Sequence, residues 1–137
     1  MSKEKNKNGE RGGAGTKLLL VLTILILAGH ALINYVPIAY AGESFKQDMQ
    51  TAVVQGLATP ARAGSPTDFV KAKIQRAARV NDIPEDVLIE VKQNGKVLEA
   101  HVFYSQTVNI LPFGIYKYEY VFDHTATPTG FLLKEDL

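Results

Sequence analysis

The sequence predicts an α+β protein: an N-terminal transmembrane helix extending into a small domain, where a second helix packs on a three- to four-stranded antiparallel meander. Three observations carry this. An uncharged run of 24 residues, Leu18–Ala41, stands near the N-terminus. Apolar residues then recur at helical spacing, over Phe45, Met49, Ala52 and Val53 and again over Val70, Ile74 and Ala77. From Asp86 the period changes to two, and Asn94-Gly95 supplies the strongest short hairpin signal. A length of 137 residues allows one small domain and not two.

Residues 1–16 are polar and glycine-rich and read as a disordered, basic cytoplasmic tail. Residues 1–17 carry five basic and two acidic side chains, +3. The remaining 120 carry ten basic and twelve acidic, −2. Gly9–Lys17 is no phosphate loop, because the order is Gly15-Thr16-Lys17 and no strand precedes it.

Residues 17–41 read as the transmembrane helix. The 24-residue run measures about 36 Å as a helix, against about 30 Å of hydrocarbon. Twelve of the nineteen residues from Leu18 to Val36 are Leu, Ile or Val, which favours insertion by on the order of 5 kcal/mol. The basic head puts the N-terminus in the cytoplasm by the positive-inside rule, and residues 42–137 outside as a small extracytoplasmic α+β domain. Tyr35 and Tyr40 fit an aromatic belt at the outer interface, and Pro37 sits where a kink is tolerable. Ala39-Tyr40-Ala41 is also an A-x-A pattern, so release by cleavage after Ala41 is the alternative. Apolar helical spacing continues past that point, which favours a retained anchor.

The helix is expected to run to about Gln55 and stop at Gly56. Ala58 to Pro66 reads as a loop. Ser65-Pro66-Thr67-Asp68 then marks a helix start, with Ser as N-cap and Pro in the first turn. This second helix runs to about Val80 with Val70, Ile74 and Ala77 as its apolar stripe. Lys71, Lys73, Arg76 and Arg79 form its basic face, either simply solvated or touching anionic lipid or an acidic partner.

In the hairpin, a type I′ turn centred on Asn94-Gly95 sets Val91 opposite Leu98, Ile89 opposite Ala100 and Val87 opposite Val102. Leu111-Pro112-Phe113-Gly114 is the next turn. The third strand, Ile115 to His124, carries Tyr116, Tyr118, Tyr120 and Phe122 on one face, and Lys117, Glu119 and Asp123 on the other. The aromatic stripe reads as the buried face of the sheet, with a binding platform as the alternative. Thr125–Leu137 has a Thr-Pro-Thr-Gly turn and room for a short fourth strand.

No catalytic residues, cofactor site or metal site are expected. Cysteine is absent, the three histidines are scattered, and no hydrolase, zinc or dinucleotide motif occurs. The body of the chain has no basic surplus for nucleic acid. The unusual pair is His30 and Asn34, at i and i+4 on one face of the apolar helix. Such a pair either reaches towards the interface or contacts a second membrane helix.

Several short stretches carry a family resemblance: Tyr35-Val36-Pro37, Phe45 to Val54, Val102-Phe103-Tyr104, and Leu111-Pro112-Phe113-Gly114 leading to Tyr120-Val121-Phe122-Asp123-His124. In them the chain resembles an uncharacterised bacterial inner-membrane family with one membrane helix and a small domain closing on a Tyr-rich strand. The resemblance implies a single-pass, non-enzymatic membrane protein. The layout is also similar to type IV pilins and pseudopilins, which join a long N-terminal helix to a small α+β head. Here, however, Leu20 stands where their glutamate would follow Gly15. The expected partners are therefore the lipid bilayer and another membrane protein or a second copy. The expected role is that of an accessory or interaction protein, with a pilin-like subunit or a released binding domain as alternatives.

Overall fold

A computed structural model describes residues 11–58 and 64–128. Most of the expected tail, the centre of the 58–66 loop and the possible fourth strand lie outside the described residues.

The first element, α1, is one helix of 48 residues, Arg11–Ala58, about 72 Å long. It starts earlier than expected, and Arg11–Thr16 belong to it rather than to a disordered tail. Once a strong helix such as Leu18–Leu27 has formed, each added turn costs little, even through glycines. Pro37 lies inside the helix without ending it. The end is also later than expected: Gly56 is not a stop but a buried contact point. A Cβ there would collide with Val70 Cγ2 and lie 3.1 Å from Leu98 Cδ1.

The second helix, α2, spans Pro66–Val80 as expected. Its N-cap is Ser65, but the Ser65 hydroxyl bonds Thr67 Oγ1 at 2.6 Å instead of a backbone amide. The buried stripe is Val70, Ile74 and Ala78, with Ala77 only half-buried. The helix closes with the Asp82 amide on the Arg79 carbonyl and the Ile83 amide on the Ala78 carbonyl. Asp82 takes the left-handed conformation this closure needs, φ 53°.

Three strands follow: β1 Leu88–Asn94, β2 Val97–Asn109 and β3 Lys117–Ala126. They form an antiparallel meander in the order β1-β2-β3. The first turn is centred on Gly95 and Lys96, because Asn94 pairs Val97. Val91 therefore faces Ala100 and Ile89 faces Val102, not the partners expected from the dipeptide. The slip is by two partner positions, so every side chain keeps its face. Positive φ falls on Gly95 (62°) and not on Lys96, the pattern of a type II′ turn rather than type I′.

Both helices pack on one face of the sheet. Phe45, Met49 and Val53 of α1 and Val70 and Ile74 of α2 are buried against Leu98, Ala100, Val102, Tyr104 and Phe122. Gln50 Nε2 holds the chain after β3 by donating to the Thr127 carbonyl at 2.7 Å. The N-terminal half of α1 is different. Leu18 to Ile26 stand exposed, and no residue of the most apolar 18-residue window is buried. By length and composition this helix can cross a membrane.

Candidate functional site at the helix–hairpin contact

The two halves of α1 are joined by one stripe. Leu27, His30, Ala31, Asn34, Ile38 and Ala41 are half-buried at helical spacing, and the stripe runs on into Gly42, Phe45 and Met49. The β2–β3 hairpin lies along it. Phe45 meets Phe122 and Tyr104 at ring-centroid distances of 5.6 and 6.4 Å. Gly42 lets β3 come close, since a Cβ there would collide with the Tyr120 hydroxyl. Tyr35 meets Tyr118 and Tyr120 edge-on at 6.1 and 6.3 Å. At the end of β2, His30 Nδ1 bonds the Ile110 carbonyl at 3.1 Å.

A carbonyl can only accept, so in this contact His30 Nδ1 is the donor. Asn34 Nδ2 donates to the His30 carbonyl at 2.8 Å and lies beside the ring, 3.3 Å from Nδ1 and 3.4 Å from Nε2. The pair read as either reaching towards the interface or contacting a second membrane helix has a partner within its own chain. The two partners of the contact are 80 positions apart, and no local pattern announces it.

The aromatic stripe lies on the helix side of β3, as expected, but burial grades along it. Phe122 is buried and stacks on Tyr104 at 4.8 Å. Tyr120 is half-buried, while Tyr118 and Tyr116 are exposed. The Tyr104 hydroxyl is buried without a hydrogen-bond partner among the described residues. Burial, aided by the nearby Tyr120, pushes its phenol up to about 12. Burial also raises Tyr120. His124 is held below the ordinary imidazole range, first by burial and then by the Lys46 ammonium.

The hairpin ends in a tip without charge, Ile110 to Tyr116. Part of its backbone is self-paired. The Ile110 and Leu111 amides both donate to the Tyr116 carbonyl, and the Ile115 amide donates to that of Pro112. Phe113 sits in the left-handed region, φ 60° and ψ 16°, and is 99% exposed.

The basic face of α2 lies at the other end of the molecule. Lys71, Lys73, Arg76 and Arg79 are exposed. Lys73 is tied down by the Gln55 side-chain carbonyl and by the Phe69 ring, 5.4 Å away. Lys71 and Arg79 border an open cleft of about 590 Å³ between α2 and the β1 edge. Arg79 is near Asn81, whose side chain bonds Asp48 at 2.8 Å. Asp48 is about 15 Å along α1 from Ile38.

Among the described residues no three His, Asp or Glu side chains gather as a metal site. Asp123, placed by the sequence on the outer strand face with Lys117 and Glu119, pairs there with His101 across the strands at 2.7 Å. Both stand at odd positions and share the outer sheet face, which is the signal that could have found them. No protein-family model, curated protein or solved structure matches the chain. The family resemblance therefore rests on its own short motifs.

Proposed function

We propose that this chain is a single-pass membrane protein of accessory or interaction type, its small α+β domain held against the outer surface of a bacterial cytoplasmic membrane. One observation carries the reading. The exposed apolar half of α1 is continuous with the amphipathic half that forms the domain core. Left in water, its twelve Leu, Ile and Val side chains would forgo roughly 20 kcal/mol of apolar transfer. Lipid removes that cost and asks nothing further of the helix, whose backbone is already paired. Continuity of α1 through Ala41 and Gly42 favours a retained anchor over release there. The basic face of α2, about 15 Å or more beyond Ile38 along α1, is better placed for an acidic protein partner than for headgroups.

A pilin-type subunit is the second reading. It is favoured by the same shape, a protruding apolar half-helix on an α+β head.

Three measurements on the full chain test the assignment. Alkaline carbonate should leave it in the membrane fraction. The chain has no cysteine, so Thr125→Cys should react with an impermeant maleimide in spheroplasts, and Ser2→Cys only after lysis. Intact mass should begin at Met1 or Ser2; a start at Thr16 would establish pilin-type processing, and a start at Gly42 release. Extraction by carbonate, or labelling of the opposite pattern, overturns the anchor or its orientation.

A further inference from the structure

We propose that the tip of the β2–β3 hairpin is a second membrane attachment, dipping Phe113 and Ile115 into the acyl chains of the outer leaflet beside α1. This rests on the anchor reading above and names lipid as the hairpin's partner.

Depth is the first argument. From Lys17, the last charge on the inner side, twenty residues of helix cover about 30 Å and reach Pro37. His30 is seven residues inside that limit, about 10 Å. The Ile110 carbonyl is bonded to its ring, so the neck of the tip lies at the same level. Leu27, one turn deeper, is half-buried as well. A helix in lipid therefore brings the hairpin end into lipid with it.

Chemistry is the second. From Val108 to Tyr116 there is no charged residue; the first charge, Lys117, folds its stem over Gly114 at the base of the tip. Each pairing of a backbone polar group lowers the cost of bringing non-helical chain to the edge of the hydrocarbon. Here the Ile110, Leu111 and Ile115 amides are paired within the tip, Pro112 has no amide, and His30 serves the Ile110 carbonyl. His30 thus acts as a donor that holds the hairpin at depth.

Conformation is the third. A left-handed backbone is uncommon for a bulky residue, yet Phe113 adopts it and turns its whole ring away from the protein. Ile115 and Tyr116 beside it are 73% and 54% exposed. In water this arrangement spends backbone strain to expose apolar surface. In lipid it places the ring among acyl chains.

The sequence contains no tryptophan, so single tryptophans report without background. Full-length Phe113→Trp, Leu25→Trp and Thr125→Trp variants are reconstituted in phosphatidylethanolamine/phosphatidylglycerol vesicles with and without brominated acyl chains. The proposal expects blue-shifted emission from Phe113→Trp, quenching of Phe113→Trp and Leu25→Trp by the bromines, and unquenched Thr125→Trp. In the Phe113→Trp background, His30→Ala should reduce tip quenching; in the Leu25→Trp background it should change nothing. Water-like, unquenched Phe113→Trp beside quenched Leu25→Trp overturns the tip and leaves the anchor standing. Blue-shifted but unquenched emission assigns the tip to a protein partner and also overturns it. Unquenched Leu25→Trp fails the anchor reading itself. Quenching unaffected by His30→Ala overturns the role given to that histidine.

Discussion

Polar atoms in apolar surroundings set the chemistry of this molecule, and two are treated in opposite ways. His30 spends its proton on a carbonyl 80 positions away. Tyr104 keeps a buried hydroxyl with no partner among the described residues. An unsatisfied buried hydroxyl costs about 1–3 kcal/mol, while its ring keeps the stack on Phe122 whether or not the oxygen is present. Tyr104→Phe should therefore raise stability by ~1 kcal/mol, read from thermal unfolding in micelles by near-ultraviolet circular dichroism. A loss of stability would reveal a partner for the hydroxyl. The same residue sets an alkaline limit. Its folded pKa, about 12, lies above the ordinary 10.0, so the unfolded chain releases the proton first. Stability falls as pH rises through that window, and Tyr104→Phe should flatten the fall. His124 works at the acid side. Its folded pKa is lowered from 6.5, so the unfolded chain binds the proton more readily and stability falls as pH drops below about 6.5. His124→Asn should lessen the loss of melting temperature between neutral and mildly acidic pH; an unchanged slope would assign the acid sensitivity elsewhere.

Elements were readable where their signals are local. Ser65-Pro66 begins α2 and the helix ends at Val80, as the residues of single turns foretell. The faces of the strands were readable from the period of two, and Val87, Ile89 and Val91 do turn to the helices with Leu98, Ala100 and Val102. The pairing within the hairpin was not. Asn94-Gly95 suits a type I′ turn, but the chain turns one residue later, and a dipeptide cannot weigh the packing of Val102 and Ala100 against α1. The end of α1 was misread for a related reason. Gly56 looks like a helix terminator by propensity, yet it serves the close approach of α2 and β2 to α1. Its missing Cβ is what lets Val70 and Leu98 close on α1. Gly56→Ala, harmless or favourable in an isolated helix, should here destabilise by about 1–3 kcal/mol through overpacking. Near-neutral unfolding of that variant would show that α2 can move away at no cost. The site was the least readable part. His30 and Asn34 stood out as polar residues in an apolar run, but their partner, the Ile110 carbonyl, is a backbone atom with no sequence signature.

At the scale of the whole molecule, α1 is a rigid ruler shared by two environments. Its C-terminal half is fixed by the core around Phe45, Met49 and Val53, and its N-terminal half carries the apolar surface. Between them Tyr35 faces Tyr118 and Tyr120, so the angular position of the apolar half is set by the domain. Because successive helical residues turn by about 100°, one extra residue rotates everything before it by that angle and lengthens the helix by about 1.5 Å. Inserting a single alanine between Tyr40 and Ala41 should leave the core intact, since the residues from Gly42 onward keep their register. It should swing His30 and Tyr35 off the hairpin. Cysteines at Tyr35 and Tyr118, in a chain without its own, test this with a short bifunctional thiol linker. The parent pair should cross-link readily, and the inserted chain should lose most of that product while keeping its melting temperature and its resistance to carbonate. Retained cross-linking would mean that α1 bends or unwinds between the two halves to absorb the extra residue, with Pro37 as the first place to look, because it removes one helical amide there. The ruler would then be jointed, and the domain would be free to tilt on its anchor.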